Sequence, residues 1–489
     1  MKISFHGAAR AVTGSKHLLH IEPNKKVLLD CGMFQGMGKD TMPLNNDWGF
    51  DPQELDYVII SHAHIDHVGL LPKLVKDGYK GKIFCTPATA SLMQILLVDS
   101  ARIQEADVFY INKENQRENK PLIEAMYTEE DAANVFPLLV TVPYDEQYRI
   151  DDSLELWYTD CGHVLGSAAV SLRVQENGKV ETLTFSGDIG RYRDMILRSP
   201  QPFPQADYII MESTYGDRLH ELGITTVDKL LQTIVDTCIK KGGKLIMPAF
   251  SQGRTQQILY MLNRLELEHR LPDLNYYVDS PLSIKVTDTF KQYTDHFNEN
   301  VQNLLLRDDD VFLFKGLKFT ETVEDSMALC DSKEPCVIIS ASGMAEAGRV
   351  KHHIAATLDD PKNTILMTGY CEPRSLGGKL KTHPHDIRIF GKHHDVKADI
   401  MEIASLSAHG DYDDLLQWLS CQDASHVKKL FLVHGDYEVQ LKFRERLQRK
   451  GFADVEIPQQ HETIDLVKHR IRKERVTEPV ALSGAMKDN

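Results

Sequence analysis

The segment SHAHIDHVGLL, residues 61–71, follows directly on the apolar run 57–60 and crowds His62, His64, Asp66 and His67 into six positions. A short β-branched run of this kind reads as a buried strand, so the four side chains emerge where the strand ends and the backbone must turn. Imidazole nitrogen and carboxylate oxygen are ligands that zinc takes at neutral pH, and a tight turn can aim alternate residues at two neighbouring ions. A merely solvated histidine cluster fits such a position poorly. The spacing therefore predicts a metal site at a sheet edge. One segment supplies only four donors, so others are needed from other strand ends. His163 in DCGHVLGS, Asp188 in TFSGDIG and His434 in LFLVHGD occupy such places.

The surrounding pattern separates into two rhythms. Short runs, KISFHGAA, KHLLHIE, KKVLLDCG and LDYVIISHAH, read as strands, and GLLPKLVKDG reads as a helix. A long helical pattern, 90–121, turns highly polar, and TEEDAANVFPLL opens with a Thr-x-x-Asp capping signal. AAVSLRVQENGKVETLTFSGD reads as a hairpin turning at Asn177–Gly178. From about residue 209 the order becomes strand, glycine-bearing turn, helix, as in GKLIMPAFSQGRTQQILYMLNRL and PCVIISASGMAEAGRVKHHIAATL. That alternation predicts a parallel sheet flanked by helices, with ligands at the carboxyl ends of its strands. The predicted division is 1–208, an inserted unit 209–395, a return to the first unit over 396–465, and a polar tail 466–489 whose Arg470, Arg472, Lys473 and Arg475 read as a solvated end.

A formal net charge of −15 argues against general adhesion to nucleic acid, so a polyanionic substrate would have to be held by a few placed cations. The first residues lack a signal-peptide core and no stretch approaches 18 uninterrupted apolar residues, which predicts a cytoplasmic protein without a membrane span. The eight cysteines contain no C-x-x-C pair, a usage that fits reduced thiols. Cys31 and Cys161 neighbour Asp30 and His163, which makes them candidates for lining the site.

Asp30, the 62–67 motif, His163, Asp188 and His434, in this order, resemble the metallo-β-lactamase superfamily. Glu212 in MESTYGDR, His409 in SLSAHGD and His434 in LVHG extend the resemblance to its β-CASP branch of nucleic-acid nucleases. The resemblance covers residue 1 to about 465. It implies an α/β fold, a four-layer αβ/βα sandwich with an inserted parallel α/β β-CASP domain. It also implies two zinc ions, one on His62, His64 and His163, the other on Asp66, His67 and His434, with Asp188 bridging. Such a pair would activate a shared water for attack at phosphorus. By the same resemblance Asp30 orients ligands without being one, and Glu212 sustains His409 as the general acid for the departing 3′ oxygen.

For substrate grip, Arg254, Ser340, Ser342, Gly343, Arg349 and Arg374 lie at strand-to-helix junctions or beside them, where backbone N–H groups and helix N-termini suit phosphate. Lys351, Lys379, Ser280 and Ser283 are weaker candidates. Histidine at position 434 resembles RNA-processing members of the branch, where DNA-repair members carry an aliphatic residue. About 55 residues follow His434, an architecture similar to bacterial relatives of the cleavage subunit of the mRNA 3′-end processing complex. The expected activity is zinc-dependent endonucleolytic hydrolysis of single-stranded RNA leaving 3′-hydroxyl and 5′-phosphate ends, with a homodimer left open. The alternatives are a 5′-exoribonuclease, a DNA-directed nuclease, a small-molecule metallo-hydrolase and a non-catalytic scaffold.

Overall fold

The strands Lys2–Gly7 and Tyr208–Glu212 are buried along nearly their whole length, as strands covered on both faces must be. In the computed structural model, which describes residues 1–220, 226–369, 371–403 and 407–466, they belong to two seven-stranded sheets packed face to face. The first runs Glu462–Asp465, Lys2–Gly7, Lys16–Ile21 and Lys25–Leu29 as an antiparallel set, then adds Tyr57–Ile59, Lys82–Cys85 and Leu139–Thr141 in parallel. The second runs Tyr148–Asp151, Leu154–Asp160, Ala168–Glu176 and Lys179–Phe185 antiparallel, then Tyr208–Glu212, Lys429–Val433 and Val455–Glu456 in parallel.

Phe5, Leu29 and Ile59 of one sheet meet Tyr158, Phe185, Ile210 and Phe431 of the other in the inner core. Helices cover the outer faces. Leu92 and Leu97 of helix Pro87–Arg117 lie on one side. Trp418 of Tyr412–Leu419 and Phe443 of Tyr437–Arg449 lie on the other. This is the expected four-layer sandwich.

Local chemistry explains several boundaries. Asn177 (φ 51°) and Gly178 (φ 75°) both take the left-handed conformation that a two-residue hairpin turn demands. The Thr128 hydroxyl accepts from Asp131 N, while the Asp131 carboxylate accepts from Thr128 N, closing the predicted capping box.

The third sheet is wholly parallel, in the order Leu317–Phe319, Asn275–Val278, Cys336–Ser340, Lys244–Pro248, Thr364–Met367, Asp399–Glu402. Its edges differ from the division drawn on sequence. Tyr208–Glu212 pairs within the second sheet, although position 209 was expected to open the inserted unit. Asp399–Glu402 pairs with Thr364–Met367 of the inserted sheet, although it was expected in the returning segment. A strand's sheet is decided by its hydrogen-bonded neighbours, and the composition of a five-residue apolar run does not name them. Helix Pro87–Arg117 packs on helix Pro281–Gln292 of the insertion, and Ser91 Oγ lies 2.8 Å from the Tyr293 hydroxyl. The arginine-rich tail lies outside the described residues.

The turn at 31–33 clasps the short helix Ile65–Val68. Ser15 N donates to Asp66 O at 2.8 Å, Cys31 N to His67 O at 2.8 Å and Met33 N to Ile65 O at 3.0 Å. A Cβ on Gly32 would stand 1.7 Å from the Asp66 carbonyl oxygen, a separation no rotation relieves. Gly32→Ala is expected to destabilise the fold by about 3 kcal/mol and to lower metal retention, because the displaced helix carries Asp66 and His67. Thermal unfolding together with metal content checks this, and a native melting curve with full metal content would refute it.

Candidate metal centre

The predicted donors meet along one edge of the sandwich. His62 Nε2 lies 3.1 Å from His64 Nδ1, which lies 3.3 Å from His163 Nε2. Asp188 Oδ2 stands 3.6 Å from His62 Nε2 and 3.5 Å from His163 Nε2. Beside this group, His67 Nε2 lies 3.4 Å from His434 Nε2, and Asp66 Oδ2 lies 3.3 Å from His434 Nε2 and 3.8 Å from His67 Nε2. The other oxygen of Asp188, Oδ1, is 3.5 Å from His67 Nε2. Four donors in a tetrahedron around zinc, at about 2.0–2.1 Å each, stand roughly 3.3–3.4 Å apart. The observed spacings are of that size.

Outer contacts hold the rings. His67 Nδ1 lies 2.6 Å from Asp30 Oδ2, His62 Nδ1 lies 3.0 Å from Ser61 Oγ, and His434 Nδ1 lies 3.0 Å from Thr214 Oγ1. In each case the outer nitrogen is occupied and Nε2 is left for the cluster. Asp30 is fully buried and also accepts from Ser61 N at 2.8 Å and Ser61 Oγ at 2.9 Å. Asp30 (φ 57°) and His434 (φ 48°) both sit in the left-handed region. That conformation is costly for a residue with a side chain and gathers at functional sites. Ser61 and Thr214 were not singled out in the sequence. Their only signal was adjacency, one residue before His62 and two after Glu212.

Electrostatics favour cations here. Burial and the neighbouring His67 keep His62 well below the usual imidazole pKa, and burial with His409 does the same to His163. Burial holds His64 to about 4. Neutral rings of this kind are what a metal requires. Burial opposes charge on His67 too, but the carboxylates of Asp188, Asp66 and Asp30 raise it well above the usual value. Burial likewise opposes ionisation of Asp188, yet His434, His67 and His409 hold its carboxyl far below the usual range. Asp188 Oδ1 and His163 Nδ1 are sealed from solvent without a hydrogen-bond partner among the described residues. A buried carboxylate oxygen left so, among ring nitrogens of His62, His163 and His67, fits a cation. The donor set is that of a metal cofactor.

Beside the cluster, His409 Nδ1 lies 3.1 Å from Glu212 Oε1, and the His409 and His163 rings lie 4.6 Å apart. Glu212 is fully buried, and its Oε1 also accepts from Ile189 N at 2.6 Å. Burial disfavours charge on His409, but Glu212 and then Asp188 outweigh it and raise its pKa to about 9.

The predicted gripping residues are not all assembled here. Arg349 donates to Asp279 Oδ1 at 2.7 Å and to the carbonyls of Thr320 and Glu321, so its guanidinium is used inside the insertion. Ser340 Oγ donates to Asp279 O at 2.8 Å. Ser342 N is taken by Ala347 O, and a Cβ on Gly343 would meet the Phe250 ring at 2.6 Å, so the SASG turn spends its groups on its own packing. Arg374 is exposed and reaches toward Gly38 of the first unit. Arg254 is buried at the start of helix Arg254–Leu267, where Gly253 lies beside Val164, the residue after His163. Ser280 caps helix Pro281–Gln292 by accepting from Ser283 N. Cys31 and Cys161 are buried in the apolar cores, where burial pushes the Cys31 thiol up to about 12 and Cys161 well above its usual value.

Among the described residues no helix is long and apolar enough to cross a membrane. Residues 17–227 match the metallo-beta-lactamase superfamily, 255–380 the Beta-Casp domain, and 393–458 the Zn-dependent metallo-hydrolase RNA specificity domain. The chain is 36% identical to ribonuclease TTHA0252 of Thermus thermophilus over 92% of its own length and 97% of that protein. It is 30% identical to an RNase J-like protein of Methanocaldococcus jannaschii, covering 90% and 94%. It is 28% identical to cleavage and polyadenylation specificity factor 73 of Drosophila melanogaster, covering 92% and 62%. With both sheets, the inserted unit and the histidine–aspartate edge in place, the chain belongs to the β-CASP, RNA-processing branch of the metallo-β-lactamase superfamily.

Proposed function

We propose that this protein is a zinc-dependent endoribonuclease that hydrolyses single-stranded RNA and leaves 3′-hydroxyl and 5′-phosphate ends. The observation that carries the reading is Asp188, whose two carboxylate oxygens face different donor groups. His62, His64 and His163 would hold one zinc ion and Asp66, His67 and His434 the other, with Asp188 shared. Zinc bound there supplies a water acidified to near neutrality and positive charge that offsets the charge gathering on the phosphoryl oxygens.

The chain's own residues do the rest. Asp30 accepts from His67 Nδ1 and so keeps Nε2 turned to the cluster. His409 delivers a proton to the departing 3′ oxygen, and Glu212 favours the protonated ring beforehand. Arg254 meets the substrate from the inserted unit, so the strand lies between the two units. The ribonuclease names of the relatives support RNA as the substrate. Their names leave the polarity of cleavage to experiment.

RNAs labelled at the 5′ or the 3′ end, incubated with and without chelator, test this reading. End-labelled fragments of intermediate length from both labels, lost on chelation and accompanied by about two zinc ions per chain on elemental analysis, are the expected result. Mononucleotides released from the 5′ end would make the enzyme an exonuclease. Chelator-resistant cleavage, or a protein holding magnesium alone, would refute the zinc mechanism.

A further inference from the structure

His220 follows Glu212 by eight positions, in the stretch that leaves strand Tyr208–Glu212. Its ring Nε2 lies 2.9 Å from the main-chain oxygen of His409. A carbonyl oxygen only accepts, so this nitrogen carries a proton and donates it to the bond. Glu212 and His220 thus close on the same residue, the carboxylate on ring Nδ1 at 3.1 Å and the imidazole on the main chain. One segment grips His409 at two points.

His220 is itself anchored on the chain that follows His409. Its N donates to Asp411 Oδ2 at 3.0 Å, while Asp411 caps helix Tyr412–Leu419 by accepting from Asp413 N and Asp414 N. Across from His220, Gly410 N donates to Ile189 O at 2.8 Å and His409 forms a β-bridge with Gly190, so the neighbours of Asp188 hold the same stretch. His220, Asp411 and Asp414 bring potential metal donors within 4.8 Å of one another. These donors are engaged by main-chain groups: His220 Nε2 by His409 O, Asp411 by three N–H groups, and Asp414 by Asp411 N and Tyr192 N. The trio acts as a brace for the backbone around His409.

Resting on the reading of His409 as the proton donor, we infer that His220 is a positioning residue for it: the hydrogen bond to the His409 carbonyl fixes the main chain from which the ring is aimed, and Glu212 fixes the ring on that anchor. With Nδ1 taken by Glu212, Nε2 is the nitrogen left to meet the departing 3′ oxygen. Proton transfer needs heavy atoms within about 2.6–3.2 Å of each other, and a misplacement of about 1 Å costs on the order of 100-fold. A contact to the main chain of the donor is therefore worth far more to the rate than to the fold.

The test compares RNA with a nitrophenyl phosphodiester on the full-length zinc-loaded protein. His220→Ala is expected to lower kcat on RNA by roughly 10- to 100-fold, with KM and metal content near those of the wild type. The nitrophenyl ester, whose leaving group needs no proton, should be hydrolysed at close to the wild-type rate. His220→Gln, whose amide can donate from about the same place, should recover most of the loss. On a His409→Ala background, His220→Ala should cost nothing further, because the residue it positions is gone. An unchanged kcat on RNA, equal loss on both substrates, loss of metal, no recovery in His220→Gln, or an undiminished further loss on the His409→Ala background would overturn the inference and leave the reading of His409 standing on its own leaving-group test. Failure of His409→Ala to discriminate between the two substrates would overturn both.

Discussion

Asp188→Ala is expected to remove most of the bound metal and to take RNA hydrolysis below detection. The carboxylate is 2% exposed, and its two oxygens lie 3.5–3.6 Å from ring nitrogens of His62 and His163 on one side and His67 on the other. No other carboxylate faces both donor groups among the described residues. Removing it leaves each group one donor short and deletes the anion nearest to both. Asp30→Ala provides the contrast. Asp30 touches His67 through Nδ1 and the backbone and hydroxyl of Ser61, so its loss loosens one ring without removing a donor. Outer contacts of this kind are worth roughly 10- to 100-fold in metal affinity or activity. Elemental analysis of both variants beside their turnover decides between the roles. Equal metal loss in the two would contradict the bridging assignment.

His409→Ala should keep the bound metal and slow RNA cleavage by roughly 10²- to 10⁴-fold, the range for loss of acid catalysis. Its Nδ1 is 3.1 Å from Glu212 Oε1 and 3.9 Å from Asp188 Oδ2, so the ring adjoins the cluster, and the Glu212 carboxylate favours its protonated form over the opposing effect of burial. A 3′ alkoxide leaves poorly without a proton, whereas a nitrophenolate is stable on its own. The variant should therefore hydrolyse a nitrophenyl phosphodiester at close to the wild-type rate. Glu212→Gln should show the same selectivity more mildly, because the ring remains and only the charge that sustains its proton is lost. If His409→Ala sheds metal, or slows both substrates alike, then His409 positions the site and another group supplies the proton.

Much of this centre was legible in the chain itself. The H-x-H-x-D-H spacing after a β-branched run, and single histidines or aspartates at the ends of later apolar runs, name seven candidate donors that the fold brings together along one edge, because residue identity and placement at a strand end are local properties. The hairpin at Asn177–Gly178 and the cap at Thr128 were readable for the same reason: their causes lie within four residues. Charge and residue type alone misplaced Arg349. An arginine just after a glycine turn looks available to phosphate, but Asp279, 70 positions earlier, comes to 2.7 Å of it once Asn275–Val278 and Cys336–Ser340 pair in parallel.

The candidate donors and the alternation of strand and helix were thus determined by the sequence alone, since side-chain chemistry and backbone periodicity need no distant partner. Only the tertiary structure decided which nitrogen of each ring faces the cluster, and that Asp188 presents one oxygen to each donor group. The reason is physical. Each of these facts depends on atoms from segments tens to hundreds of residues apart, which sheet register and the packing of the inserted unit bring together to within a few ångströms, and no local preference of the chain encodes that separation.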